Sequence, residues 1–292
     1  MPDTTESSGT RVDARCLCGD HAWRVATPLA LLHHCHCTYC RKHTGAAYTT
    51  MGATPPEHFE WLARGESIDY ASSPGLTRRA CARCGSAIPG DPPADGPFFV
   101  TAAQMEGEPG VAIDGHIFTA DKAPWFEIED GLPGFPGFPP GYDVPPCPTP
   151  TSPDPPGDGT RGSCLCGAVR FVLQGEPITA RHCHCLRCRR ARSALHASNL
   201  FVPTKGLCWT AGEDLVKNFR LPEAEFFTQS FCTQCGSAAP RVDRDRDLVN
   251  VPLGTLDDMP PITPQAHIFT GSKASWYDIP GALPQYTERA PS

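Results

Sequence analysis

No stretch of this 292-residue chain approaches 18 consecutive apolar residues, which argues against a membrane-spanning helix. Basic charge is also short. The chain has 25 Lys and Arg against 32 Asp and Glu, a formal charge of -7 and a pI near 5.9. A nucleic-acid binder usually carries a basic face, so that class is not expected. The opening MPDTTESSGTRVDAR is polar and has no apolar core of a secretory signal, so a reducing, cytoplasmic setting is the expectation. Helical patterning is scarce as well, limited to a turn or two near TYCRKH and LRCRRA. With 40% hydrophobic and 20% charged residues, the chain still reads as globular.

What the chain has instead is 33 Pro, 27 Gly and 16 Cys. In a reducing compartment, clustered cysteines more often bind metal than form disulfides. Cys16 and Cys18 form CxC, Cys35, Cys37 and Cys40 form CxCxxC, and Cys81 and Cys84 form CxxC. Thiolates spaced this way on tight loops can converge on one zinc ion, at about 2.3 Å each.

The same clusters return as Cys164/Cys166, Cys183/Cys185/Cys188 and Cys232/Cys235. The offset is 148 for the first two groups (164 − 16) and 151 for the third (232 − 81). It stays 151 from His116 to His267, within HIFTADKAPWFEI and HIFTGSKASWYDI. One domain has been duplicated. Residues 131–160 hold 11 Pro and 6 Gly, which excludes a helix or a central strand there. We expect domains at 12–142 and 160–288, joined by a Pro-rich linker at 143–159 that carries an unmatched, unbound thiol, Cys147. The GLPGF of 131–135 has a counterpart in GALPQY and belongs to the first domain's tail. Short strands are expected at HAWRV (21–25), AVRFVL (168–173), FFVTA (98–102), FFTQSF (226–231) and DLVNVPLG (247–254). The fold class is mainly β, built of small sheets.

Seven clustered cysteines per copy divide naturally into four and three. A structural zinc is closed by four ligands, whereas a catalytic one keeps a position open. Cys16, Cys18, Cys81 and Cys84 make a closed set, as do Cys164, Cys166, Cys232 and Cys235. The remaining trios, Cys35/Cys37/Cys40 and Cys183/Cys185/Cys188, leave a position for water, a substrate thiol or a histidine.

The order CLCG, HCHCTYCRKHTG, CARCGS, HIFTADKAPWFEI resembles the glutathione-dependent formaldehyde-activating enzyme family, which also includes centromere protein V. The second copy matches through CLCGAVRF, HCHCLRCRR, CTQCGS and HIFTGSKASW. The resemblance implies two tandem Mss4-like (β-tent) zinc-binding domains, with a structural zinc on each CxC plus CxxC set and a second on each CHCxxC. It implies up to four zinc ions per chain and condensation of glutathione with formaldehyde, formally a carbon–sulfur lyase reaction reversed. The partners would be a small-molecule thiol and an aldehyde, and the catalytic residues the six cysteines of the two trios. The rival readings are a non-enzymatic zinc scaffold and a zinc–thiolate redox sensor.

Around the trios, Arg41, Lys42 and His43, and in the second copy Arg189 and Arg190, read first as a solvated turn. Alternatively they relieve the charge of a fourth thiolate or hold glutathione carboxylates. His36 and His184 read as hydrogen-bonded residues pointing away from the metal. His34 and His182 read the same way, with fourth ligation as the other option. His116 and His267 read as half-buried strand histidines, Trp125 and Trp276 as core, Lys122 and Lys273 as surface residues, and Cys208 as a partly buried free thiol. Gly45 follows the first CxxC, but Ser193 takes its place in the second copy and Arg192 replaces Thr44. If that position needs a positive φ, Ser would impair it. The two domains are expected to pair face to face.

Overall fold

A computed structural model describes residues 9–141, 149–155 and 157–291. Cys147 and much of the proposed linker lie outside the described residues. In the first copy, strands Thr10–Arg15, Ala22–Thr27 and Phe59–Ala63 form an antiparallel sheet. Alternation buries Trp23 and Val25 on one face of the middle strand, which is what HAWRV encodes. A second sheet runs Gly115–Ile117, Leu31–Cys35, Thr49–Thr54, Phe98–Thr101, its first pair parallel and the rest antiparallel. A third comprises Ser67–Ser73, Leu76–Cys81 and Ala87–Ile88.

The second copy repeats the plan. Thr160–Ser163, Arg170–Leu173 and Leu207–Ala211 form one sheet. Arg241–Asp243, Leu248–Pro252, Ala197–Val202, Thr179–Cys183 and His267–Ile268 form another. Val216–Arg220 pairs with Thr228–Cys232 in a third. The strand register gives the duplication a structural form. His116 lies opposite His34 across a parallel pair, and His267 lies opposite His182 in the same way.

The α-helices among the described residues begin within the two CxCxxC motifs: α1 (Thr38–Thr44) and α2 (Leu186–Arg192). The middle cysteine of each trio caps its helix, Cys37 Sγ accepting the Cys40 N–H at 3.4 Å and Cys185 Sγ accepting the Cys188 N–H at 3.4 Å. Both helices end in the left-handed region, at Gly45 with φ 71° and at Ser193 with φ 50°. That position does need a positive φ, and Ser193 adopts it all the same. Its hydroxyl donates to the Ala87 carbonyl of the first copy at 3.0 Å, an interaction glycine lacks.

The copies share a core. Ala47, Tyr48 and Trp125 of the first pack in one cluster with Phe171, Leu200, Val251 and Tyr277 of the second. Trp276 is half-buried between this cluster and the first copy's own core around Trp23 and Leu32. The end of α1 rides on the turn Leu253–Thr255, with the Gly254 N–H donating to the Gly45 carbonyl at 3.1 Å. A Cβ on Gly45 would come within 2.7 Å of Pro252 Cβ and 2.8 Å of Ala238 Cβ, so the first copy needs glycine there for the contact as well as the turn.

The cations after the CxxC motifs are not a solvated turn. Lys42 is only 2% exposed, and Arg41, His43, Arg189 and Arg190 are buried too. The reason is the pairing of the copies, which turns the outer face of each helix into an interface. Lys42 Nζ donates to the Ser163 hydroxyl at 2.8 Å and the Ser163 carbonyl at 3.1 Å, and forms an ion pair with Asp257. Arg189 donates to the Ala103 carbonyl at 3.1 Å, and Arg190 pairs with Glu106. Three smaller expectations also change. Cys208 is exposed on its strand. Lys122 and Lys273 turn inward, each donating to a carbonyl of its own turn, Phe126 and Tyr277 respectively. His116 and His267 are buried, not half-buried, because each is covered by the partner strand and the returning tail.

Candidate metal centres

Four groups of cysteine sulfurs stand together: Cys16/Cys18/Cys81/Cys84, Cys164/Cys166/Cys232/Cys235 and the trios Cys35/Cys37/Cys40 and Cys183/Cys185/Cys188. Within each group all sulfurs lie within 4.8 Å of one another. Cys16 and Cys18 are 3.6 Å apart, as are Cys18 and Cys81, while Cys164–Cys166 is 3.4 Å and Cys183–Cys185 is 3.7 Å. A tetrahedron with metal–sulfur bonds of about 2.3 Å has edges of about 3.8 Å, whereas a disulfide closes to about 2.05 Å. The donor sets therefore fit zinc, and these cysteines are free thiols.

Each foursome ties the first strand pair of its copy to a distant CxxC turn. Backbone and hydroxyl donors support it. The Val169 N–H reaches Cys164 Sγ at 3.2 Å, and the Ser86 hydroxyl lies 3.3 Å from Cys84 Sγ. Hydrogen bonds from Cys16, Cys18 and Cys81 hold the Cys84 thiol far below its ordinary value, and Cys164, Cys166 and Cys232 do the same for Cys235. A sulfur so held is a ready metal ligand.

Each trio is built by the last residue of a strand, the cap of a helix and that helix's first turn. No histidine nitrogen among the described residues joins them. His34 Nδ1 instead meets the Thr50 hydroxyl at 2.9 Å, and His182 Nδ1 meets that of Ser198 at 3.0 Å. His36 Nε2 lies 2.8 Å from His116 Nδ1, and His184 Nε2 lies 2.9 Å from His267 Nδ1. The hydrogen-bonded reading of all four histidines holds, and fourth ligation does not. In the first copy the chain continues, with His116 Nε2 2.9 Å from the Asp130 carboxylate. The residue at the matching offset in the second copy is Gly281 (130 + 151), which has no carboxylate to offer His267. Burial pulls His267 down to about 4.

The trios differ in their surroundings. Cys40 lines a cleft of about 550 Å³ whose walls include Thr44, Met51, Leu76, Arg78, Phe98 and Phe99. Arg78 Nη1 approaches Cys40 Sγ at 3.7 Å, and its guanidinium lies over the Tyr39 ring at 5.6 Å. Hydrogen bonds from Cys35 and Cys37 hold the Cys40 thiol well below its usual range, against burial and with Arg78 assisting. In the second copy hydrogen bonds from Cys183 and Cys188 pull down Cys185 instead, to about 3. Arg192 there is buried, which lowers it to about 10 in spite of the nearby Cys188. Sequence reasoning missed Arg78, Asp130 and Asp257. The TRRAC run before Cys81, facing TQSFC before Cys232, was a signal for Arg78. Asp130 and Asp257 depend on tertiary contacts and had none.

This is a duplicated β protein with four cysteine centres able to hold metal, a class defined by the sulfur geometry and by the repeat. The chain belongs to the glutathione-dependent formaldehyde-activating enzyme family, whose model matches residues 11–121 and 159–272. A Halomonas elongata protein is 31% identical over 126 residues, covering 40% of this chain and 79% of its own length. A protein from Aspergillus flavus is 30% identical over 86 residues, 28% of this chain and 45% of its own. Both are provisionally named glutathione-dependent formaldehyde-activating enzymes. A crystal structure of a Rhodobacter sphaeroides protein aligns with 36% of this chain and 97% of its own, at 23% identity and a TM-score of 0.28.

Proposed function

We propose that the chain is a zinc-dependent carbon–sulfur lyase-type enzyme that forms or cleaves S-hydroxymethylglutathione or a related thiol–aldehyde adduct. The observation that carries this reading is the Cys35/Cys37/Cys40 trio, three thiols with no fourth protein donor among the described residues, one of them in the wall of a cleft. Up to four zinc ions fit the chain, two on the foursomes and two on the trios. Each copy holds its own pair, within domains 12–142 and 160–288. Zinc, when bound, supplies the positive charge that keeps protein and substrate sulfurs ionised near neutral pH. The protein thiols hold that charge at the cleft wall, and the cleft holds thiol and aldehyde together, raising their effective concentration. The thiol proton passes to solvent, a sulfur lone pair forms the new carbon–sulfur bond as the C=O π pair moves onto oxygen, and that oxygen takes up a proton from solvent. So many reduced thiols suit a reducing compartment such as the cytoplasm.

The test follows free formaldehyde in the presence of glutathione with zinc-loaded protein of known metal content. Catalysed approach to the adduct equilibrium, abolished in Cys37→Ser while the foursome zinc is retained, supports the reading. Native mass spectrometry counts that zinc. A rate equal to the uncatalysed one across small aldehydes and thiols overturns it.

A further inference from the structure

We propose that only the first copy's trio takes up a thiol substrate, and that Arg78 is the specificity-determining residue that pairs with the incoming thiolate. This rests on the functional reading above and narrows it to one centre and one cation. Three thiolates around a divalent zinc already leave one negative charge, and a substrate thiolate adds a second. The foursomes meet the same charge with fixed backbone N–H and hydroxyl donors; a position filled only when substrate arrives favours a cation within reach of the incoming group.

Of the residues first suspected of that role, Lys42 and Arg41 do not line the cleft, and His43, which does, is driven by burial down to about 4 and is uncharged near neutral pH. Lys42 is spent on Ser163 and Asp257, and Arg41 is buried beneath the interface turn. Arg79, which also borders the cleft, is held by Asp69 at 3.0 Å and Asp91 at 2.7 Å. Arg78 is different. It lines the cleft beside Cys40, makes no ion pair among the described residues, and has a buried Nε without a hydrogen-bond partner. Its placement lets one guanidinium edge stay on Cys40 while the other faces a ligand.

The second copy lacks this arrangement. At the offset of Arg78 stands Gln229 (78 + 151), whose amide is 3.5 Å from the Ala191 carbonyl. Three other arginines lie near its trio: Arg187 is exposed and stacked on the Phe227 ring at 5.8 Å, Arg189 is held by the Ala103 carbonyl, and Arg192 stands at the offset of the cleft residue Thr44 (44 + 148). Arg192 is buried, and its Nη1 lies 3.4 Å from where a Cβ on Gly45 would stand. It faces the other copy. It can balance the three protein thiolates from the interior, and with Arg187 stacked on Phe227 the second copy has, among the described residues, no strand arginine held against a ligating sulfur as Arg78 is, so we assign this centre the role of an interface staple.

Calorimetric titration of glutathione into the zinc-loaded full chain, with S-methylglutathione as the thiol-free control, tests the proposal. The expected stoichiometry is one glutathione per chain, with the control weaker. Arg78→Gln at unchanged zinc content and melting temperature weakens binding roughly tenfold to hundredfold, Arg78→Lys recovers part of it, and Gln229→Ala leaves it unchanged. Two glutathiones per chain, or one that Arg78→Gln does not weaken, overturns this inference and leaves the functional reading standing. No binding of glutathione to the fully loaded protein overturns this inference and removes glutathione from the functional reading. If Arg78→Gln loses zinc, the wild-type stoichiometry and the lysine variant still decide.

Discussion

The two copies each carry the same seven clustered cysteines at fixed offsets, yet the residues around them have diverged in a patterned way. Lys42 with Asp257 and Arg190 with Glu106 occupy equivalent positions across the interface (42 + 148 and 106 + 151). The first pair is buried on both sides and is bridged by Ser163; in the second, the Glu106 side chain is 43% exposed and also receives Arg15. Gly45 and Ser193 end equivalent helices, one pressed on Pro252 and Ala238, the other hydrogen-bonded to Ala87. Tyr48 and His196 occupy equivalent places in the shared core (48 + 148). What stays fixed is the sulfur. Much of what drifts sees the other copy, because a tandem pair, unlike a homodimer, lets each half of an interface change alone.

The largest expected difference lies in the ion pairs. Lys42→Met strands the buried Asp257 carboxylate and is expected to cost about 3–5 kcal/mol. Arg190→Met leaves Glu106 partly in water beside Arg15 and is expected to cost about 1 kcal/mol. Urea unfolding of the two variants at fixed zinc content checks the ranking, and equal losses would remove the claimed asymmetry. The second comparison is at the helix ends. Gly45→Ser drives a side chain into Pro252 and Ala238 and is expected to lose about 1–3 kcal/mol. Ser193→Gly relaxes a left-handed residue but gives up the Ala87 hydrogen bond, so its net change is expected to stay within about 1 kcal/mol.

Much of this was readable in the sequence, for reasons that can be named. Cysteine spacing fixes which sulfurs share a loop, and the constant offsets expose the duplication, so the four sulfur groups and the β-rich plan follow from pattern alone. Two short helices at the CxCxxC motifs were visible for the same reason. The cations were misread because their burial is imposed by the other copy. A run of Arg-Lys-His at the end of a helix looks solvated unless one knows that residues 215 positions away, such as Asp257, complete it. Arg78 escaped notice because it belongs to a strand and reaches the trio only through the hairpin fold.

The smallest expected effect separates Tyr48 from His196 by pH. Tyr48 donates to or accepts from the Tyr277 hydroxyl at 2.8 Å, whereas neither His196 nitrogen has a partner among the described residues. Burial drives His196 down to about 3. The unfolded chain takes up a proton at this histidine below about pH 6.5 and the folded chain does not. Its contribution to stability is therefore complete above about 6.5 and is lost progressively as the pH falls toward the folded value. At pH 5.5, about one unit below the unfolded value, the loss is about 1.4 kcal/mol. His196→Phe removes this part of the pH dependence, so its stability should fall less between pH 7 and 5.5 by about that amount. Tyr48→Phe should lose about 1 kcal/mol from the hydroxyl pair at both pH values and keep the wild-type slope. Denaturant melts at the two pH values, with zinc measured in each, distinguish the variants. A His196→Phe slope equal to wild type would mean that the other buried histidines carry the acid response, and that this point of divergence between the copies has no electrostatic consequence.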